Sequence, residues 1–482
     1  MVKKGRKKFD LNKEIMKEED KEKVLEKVED TLEKERTRKL SIKEGSYSSV
    51  MSGMTSEYVT PFALALNASN SQIGFLSSFA GIISPIAQIF GSKLIEKYSR
   101  KAIIVLFVTL QALMWLPVAL LALFFWRGIL TEYLPFFLIG FYGIYAIFGA
   151  LAGPAWFSLM GDLVPDGIRG KYFSGRNKVA SIVVMASAIT ASFILDYFKT
   201  KGLVLLGFAT LFIIATIFRL LSANLFRKHY EPQLKLNDGY YFSFWQFVKK
   251  APSNNFGRFV IFVAIFYFAV YLASPFFAVY MLKDLGFSYK TLMLVNLSAT
   301  FFSIIFMSAW GKFADQYGNK KLLKLGAILI GLMPILWILS PSPIYLFLVP
   351  QLVSGIGWAA FNLAASNFIY DAVTRERRAI CVAYYNMLIG IGIFLGAGIG
   401  GILAQHLTIS FMSTLLFIFL ISGVARLLAS FMLAKVKEPR NVAEVKESFI
   451  FYFKGIRPVF DELYYDFYNG IRGLNKLGKE MM

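Results

Sequence analysis

GKFADQYGNKK, from Gly311 to Lys321, lies between two apolar runs and joins an acid, a glycine and a basic cluster. A weaker copy, SKLIEKYSRKA, runs from Ser92 to Ala102 and is also flanked by apolar runs. Two copies of one charged segment, about half a chain apart, point to an internal repeat. The composition says in what solvent that repeat folds. The 482 residues are 56% hydrophobic and only 17% charged, against about 25% charged in ordinary soluble domains. A chain this apolar reads as a polytopic membrane protein.

The formal net charge of +21 does not call for nucleic acid, because no basic domain stands apart from the apolar spans. Cys381 is the single cysteine, and His229 and His406 are far apart. No disulfide within the chain, no metal site, no cofactor and no catalytic constellation is expected, so the chain does not read as an enzyme. The N-terminal MVKKGRKKFD has no apolar core of a cleavable signal peptide.

Twelve apolar spans follow, at about 46–66, 72–94, 102–126, 133–159, 175–197, 203–226, 257–282, 291–313, 321–340, 343–370, 382–405 and 409–434. Each is near the length a helix needs to cross a bilayer, and closed hydrogen bonding in lipid demands helices. Lys and Arg concentrate in alternate loops, among them EKYSRK, RGKYFSGRNK, FRKHYEPQLK, GKFADQYGNKK and TRERR. These loops, and both termini, are expected on the cytoplasmic side of the cell membrane. The expected organisation is a charged cytoplasmic tail at 1–45, a six-helix half at 46–226, a linker at 227–256, a second half at 257–434 and a cytoplasmic amphipathic tail at 435–482. The linker segment YYFSFWQFVKK and the tail segment VFDELYYDFYNGIRGL suit helices at a membrane interface.

The repeat extends further. Asp162, Arg169 and Asn177 have the same D-x6-R-x7-N spacing as Asp371, Arg378 and Asn386. RLLSANLFRKHYEP from Arg219 and RLLASFMLAKVKEP from Arg426 both read R-L-L-x6-K-x2-E-P. Three pairs in matching order make the chain an all-α membrane protein of two six-helix pseudo-symmetric halves, related by an axis along the membrane normal. Arg219 and Arg426 would snorkel or pair with a loop acid, a structural role.

Two such halves, with charged segments after spans two and eight, resemble the major facilitator superfamily (MFS) of secondary transporters over roughly residues 46–439. The family's loop motif is close to G-x-x-x-D-R-x-G-R-R. GKFADQYGNK matches it at Gly311, Asp315, Gly318 and Lys320, while SKLIEKYSRK keeps Glu96, Lys97 and Arg100. The resemblance implies a cytoplasmic latch at Glu96 and Asp315. Asp162, Arg169, Asn177, Asp371, Arg378 and Asn386 are further gate candidates at the same face.

Span one, SYSSVMSGMTSEYVTPFALAL, carries Glu57 near its middle. An acid at this depth costs about 2.5–3.5 kcal/mol on insertion scales, which makes it a functional candidate for binding a proton or a cationic group. By the family resemblance, spans one, four, seven and ten line the cavity. Tyr142 and Tyr145 with Trp156, then Tyr267, Tyr271 and Ser274, then Gln351, Trp358 and Asn362 fall on shared helical faces there, a mixture suited to organic solutes. The expectation is a secondary transporter of a small-molecule substrate, coupled to a proton, with sodium as the alternative ion. An exporter of amphipathic compounds and a transporter-like receptor that binds without turnover are the competing readings. A monomer in the lipid bilayer suffices for the mechanism.

Overall fold

The computed structural model describes residues 18–232 and 242–439, and the C-tail amphipathic segment and the basic start of the chain lie outside them. Span one is a helix from Glu18 to Thr55, a turn, and a short helix Val59–Ala65. Spans two to six are Asn70–Leu94, Arg100–Leu113 with Trp115–Trp126, Leu134–Leu163, Asp166–Thr200 and Val204–Arg227. Span seven is Asn255–Tyr271 with Phe276–Val279, and spans eight and nine are Tyr289–Tyr317 and Asn319–Leu336. Span ten is Pro343–Leu348 with Pro350–Ala372, and spans eleven and twelve are Arg375–His406 and Thr414–Ser430. This is the twelve-helix fold. Among the described residues, ten of the helices are long and apolar enough to cross a membrane. The other two are span one, which is serine-rich and broken, and span nine, whose first turns carry Lys320, Lys321 and Lys324.

The packing repeats as the motifs do. In the first half span one packs on five and six, four on two and three, and three on six; in the second half seven packs on eleven and twelve, ten on eight and nine, and nine on twelve. The repeated E-P motif has a physical reason. Glu231 accepts the backbone N–H of Arg100 at 2.7 Å, and Glu438 accepts that of Lys320 at 2.6 Å. Each acid satisfies an otherwise orphaned donor at the start of span three or nine and complements the helix dipole there.

Two expectations change. The stretch 311–321 is not a loop: span eight runs to Tyr317 and span nine starts at Asn319, with Gly318 at φ +93° between them. Only glycine takes that backbone conformation without strain. The first half has Ser99 at the matching place, and there a longer turn separates Leu94 from Arg100. The tail boundary at residue 45 falls inside the first helix. Thr37, Ser41 and Glu44 are buried there, Arg38 donates to the Leu163 carbonyl at 3.0 Å, and Tyr230 donates to Asp30 at 2.9 Å.

The linker segment forms a helix, Phe244–Lys250, capped by Ser243. Phe247 is buried against Tyr384, whose hydroxyl bonds the Phe242 carbonyl, while Trp245 is exposed.

The halves meet unequally. One apolar core at the end opposite the basic loops joins both, running from Tyr58, Phe62 and Phe208 to Phe276, Tyr289 and Phe419. At the basic end each half has its own core, around Leu159 in the first and Phe259 in the second.

Candidate functional site

Proline breaks spans one and seven at matching places. Pro61 has no N–H for the Glu57 carbonyl four residues back, and Pro275 has none for that of Tyr271. The chain turns at Ser56–Tyr58 and again at Leu272–Pro275. Glu57 and Tyr271 thus stand at equivalent breaks, with Thr60 and Ser274 one turn on. All four line a chamber of about 390 Å³ between the halves, together with Asn296 and Gln351. Glu57 is exposed to this chamber, and its Oε2 accepts a 3.1 Å hydrogen bond from Asn296 Nδ2 of the other half. Asn296, in span eight, is a residue that sequence reasoning passed over.

A larger chamber of about 590 Å³ adjoins it, sharing Ser77 and Tyr271. Its walls come from spans two, four and eleven, with Tyr142, Gln88 and Asn386 among them. Spans two and eleven therefore contribute more wall than expected. Both volumes lie in the range of small-molecule sites. Of the expected cavity residues, Glu57, Tyr142, Tyr271, Ser274 and Gln351 line these chambers. Tyr145 stacks on Tyr142 at 5.6 Å and packs at a tilt against Trp115 at 4.7 Å; Trp358 and Tyr267 pack on each other at 5.9 Å. Asn362 is exposed and lines neither chamber.

Between the chambers and the end opposite the basic loops the halves are bonded. Span two donates to carbonyls of span eleven: Asn70 to Ala404 at 2.9 Å, Ser71 to Gly401 at 3.3 Å and Ser78 to Phe394 at 2.6 Å. A Cβ on Gly74 would lie 2.5 Å from the Ala397 carbonyl oxygen, so glycine is what permits this approach. Asp196 of span five accepts the first N–H groups of span eight, from Tyr289 at 2.9 Å and Lys290 at 3.0 Å. The Lys199 ammonium lies 5.5 Å from the Tyr289 ring, and that of Lys290 lies 5.0 Å from the Phe193 ring. Toward the basic end, Asn386 still reaches Gln88 of the other half at 3.4 Å.

Of the expected gate residues, Arg100, Asp162, Asp371 and Arg378 have partners within their own halves, whereas Asn386 bonds across. Arg100 is buried and meets Asp162 at 2.6 Å. Asn319, at the place of Arg100 in the repeat, donates to Asp371 at 2.7 Å. Arg378 lies 4.6 Å from the Tyr370 ring and donates to the Tyr370 carbonyl at 3.2 Å. Glu96, Lys97, Asn177 and Asp315 are exposed, and Lys320 and Gly311 are half-buried. A Cβ on Gly311 would meet nothing within 4 Å. The Arg169 side chain is outside the described residues.

A bundle of two equivalent halves around a polar central cavity, closed at one end, is the architecture of a membrane transporter. The Major Facilitator Superfamily profile matches residues 46–252 and 259–466, and the chain belongs to that family. Multidrug resistance protein 2 of Bacillus subtilis (strain 168) is 26% identical over 94 residues, 20% of this chain and 23% of that protein. Multidrug resistance protein 1 of the same organism is 26% identical over 138 residues, 28% of this chain and 33% of its own length. The chain thus spans a third or less of the curated relatives it matches. Among solved structures, a D-xylose-proton symporter superposes with a TM-score of 0.63 at 18% identity, over 85% of this chain and 98% of that one. A bacterial homologue of the iron transporter ferroportin in its inward-facing state gives 0.64 at 13% identity, over 83% and 98%. At such identities the likeness shows the fold.

Proposed function

We propose that this protein is a secondary active transporter that moves a small solute across the cell membrane by alternating access, coupled to a proton taken up by Glu57. In this reading the basic loops and both termini are cytoplasmic, the two six-helix halves rock as units, and the described state opens to the cytoplasm. The observation that carries it is Glu57 itself. It is an acid facing the lumen of a central chamber, and its hydrogen bond crosses to Asn296 of the other half. Opening the far end separates the halves and removes that partner, so the free energy of holding a proton on Glu57 changes with the state. That difference is what coupling requires. Glu96 and Asp315, with Asp162, Arg169, Asp371 and Arg378, serve as the cytoplasmic latch in the opposite state, when the two basic-end cores come together.

Export of amphipathic compounds is the second reading. The aromatic walls of the chambers and the names of the Bacillus relatives favour it. The test is internal pH in proteoliposomes, with sugars, amino acids, organic acids and cationic drugs added singly and a Glu57→Gln protein in parallel. The expected result is a pH change with one class that is lost in Glu57→Gln. Equal responses in both proteins would refute the role of Glu57, and saturable binding without flux would replace the transporter by a receptor.

A further inference from the structure

A third chamber, of about 250 Å³, lies inside the first half and shares Gly149 and Gly153 with the large central one. Three charged side chains line it: Glu44, Arg176 and Arg219. Among the described residues, two arginines against one acid leave a surplus positive charge where all three side chains are largely buried. Arginine does not shed its proton there.

The neighbours do not cancel that charge. Arg219 donates to the neutral Gln111 Oε1 at 3.0 and 2.7 Å and to Ser48 Oγ at 2.7 Å, while the Glu44 carboxylate stays 3.9 Å from it. Glu44 accepts from Ser222 at 2.8 Å and from Arg176 Nη2 at 3.3 Å. The Arg176 guanidinium lies 4.8 Å from the Trp156 ring, which also lines the chamber. The place is built to keep the cluster: a Cβ on Gly45 would lie 2.8 Å from Arg176 Nη2. Among the described residues the matching arginine of the other half sits differently. Arg426, at the repeat position of Arg219, is fully buried and bonds the Ile330 and Val270 carbonyls at 3.0 and 3.1 Å, so the open cationic chamber is not a by-product of the repeat.

We propose that this chamber binds the carboxylate of a small organic acid between Arg176 and Arg219. The volume equals that of about eight waters at ~30 Å³ each, enough for a few-carbon acid. Gly149 and Gly153 give it a wall without side chains toward the central chamber, and a Cβ on Gly153 would meet nothing within 4 Å. A carboxylate here would neutralise the surplus charge with bidentate, charge-assisted hydrogen bonds. That the bound acid is then carried rests on the transport reading; that it binds does not.

The test is tryptophan emission of the purified full-length protein as sodium chloride is replaced by sodium lactate at fixed ionic strength. A saturable change is expected, absent in Trp156→Phe. Arg176→Gln should weaken binding about tenfold or more, as loss of one charge-assisted hydrogen bond predicts. Glu44→Gln, which removes the competing carboxylate, should tighten it severalfold. A structural ion-pair network would not give that gain. No saturable change in the native protein overturns the proposal. So does undiminished affinity in Arg176→Gln, or a monodisperse Glu44→Gln protein that binds no more tightly. Because binding is read at equilibrium in detergent, failure here leaves proteoliposome flux untouched, and absent flux leaves this result standing.

Discussion

Asp196→Ala should shift the bundle toward opening at the end opposite its basic loops. Asp196 is half-buried, and its two carboxylate oxygens take the N–H groups of Tyr289 and Lys290 at 2.9 and 3.0 Å. Both bonds run from the first half to the first turn of span eight in the second, so they exist only while the halves are together at this end. Charge-assisted hydrogen bonds contribute about 1.5–3 kcal/mol each, and a helix N-terminus adds a few tenths. Discounted for partial exposure, about 2 kcal/mol for the pair is a fair figure. That is roughly a 30-fold change in the ratio of states, so a closed population on the order of 99% would fall to about three quarters. The apolar core across the halves and the Lys199 and Lys290 contacts persist in the variant, which is why the shift is partial. Spin labels at Lys201→Cys and Lys283→Cys in a Cys381→Ser background would report the separation across this end by pulsed dipolar spectroscopy. A new long-distance population is expected in Asp196→Ala and a smaller one in Asp196→Asn, which keeps one acceptor oxygen. An unchanged distance distribution in Asp196→Ala would refute the lock.

The caps at the basic end should behave as equivalents. Glu231→Gln and Glu438→Gln should each cost about 1–2 kcal/mol, read as lower unfolding temperatures in detergent; a loss in only one would deny that the repeated E-P motif has one job. His229 gives a pH signature. It is buried with neither ring nitrogen hydrogen-bonded, and burial, with Lys101 and Arg176 nearby, pushes its pKa down from 6.5 to about 4. The unfolded chain takes the proton near pH 6.5 while the folded one refuses it until about pH 4, so stability falls as pH drops through that interval. The loss is about 2–3 kcal/mol by pH 4.5. His229→Phe should flatten this slope between pH 7.5 and 4.5, and an unaltered slope would place the acid sensitivity elsewhere.

The repeat was legible because helix ends need particular residue types at fixed places. An acid must reach the first N–H groups of spans three and nine, so Glu231 and Glu438 recur with their spacing intact. What lay inside the bundle was harder to read. Residues 18–45 average as a solvated charged segment, yet Thr37, Ser41, Glu44 and Ser48 recur at helical spacing and turn one face to the first half. That stripe was the available signal for the Glu44–Arg219 cluster, and the surrounding lysines and glutamates masked it. Glu57 stood out because a lone acid within an apolar span is costly; Asn296, a neutral amide, costs less and stood out less.

The proposed latch is hard to read from spacing for a different reason, because in the alternating-access reading one motif serves two states. Side chains that close one end in one state must find other partners in the state where that end is open, or the cost of leaving them unpaired would forbid opening. In the proposed reading, Asp162 beside Arg100, Asp371 beside Asn319 and Arg378 over Tyr370 are such partners within one half. A motif therefore encodes two sets of contacts at once, and spacing alone does not separate them. The position of the apolar cores, shared at one end and divided at the other, is what the proposed reading uses to tell the two sets apart. It follows that substitutions at Asp162 or Asp371 should alter both states, whereas Asp196, bonded across the halves at the closed end, should alter mainly one.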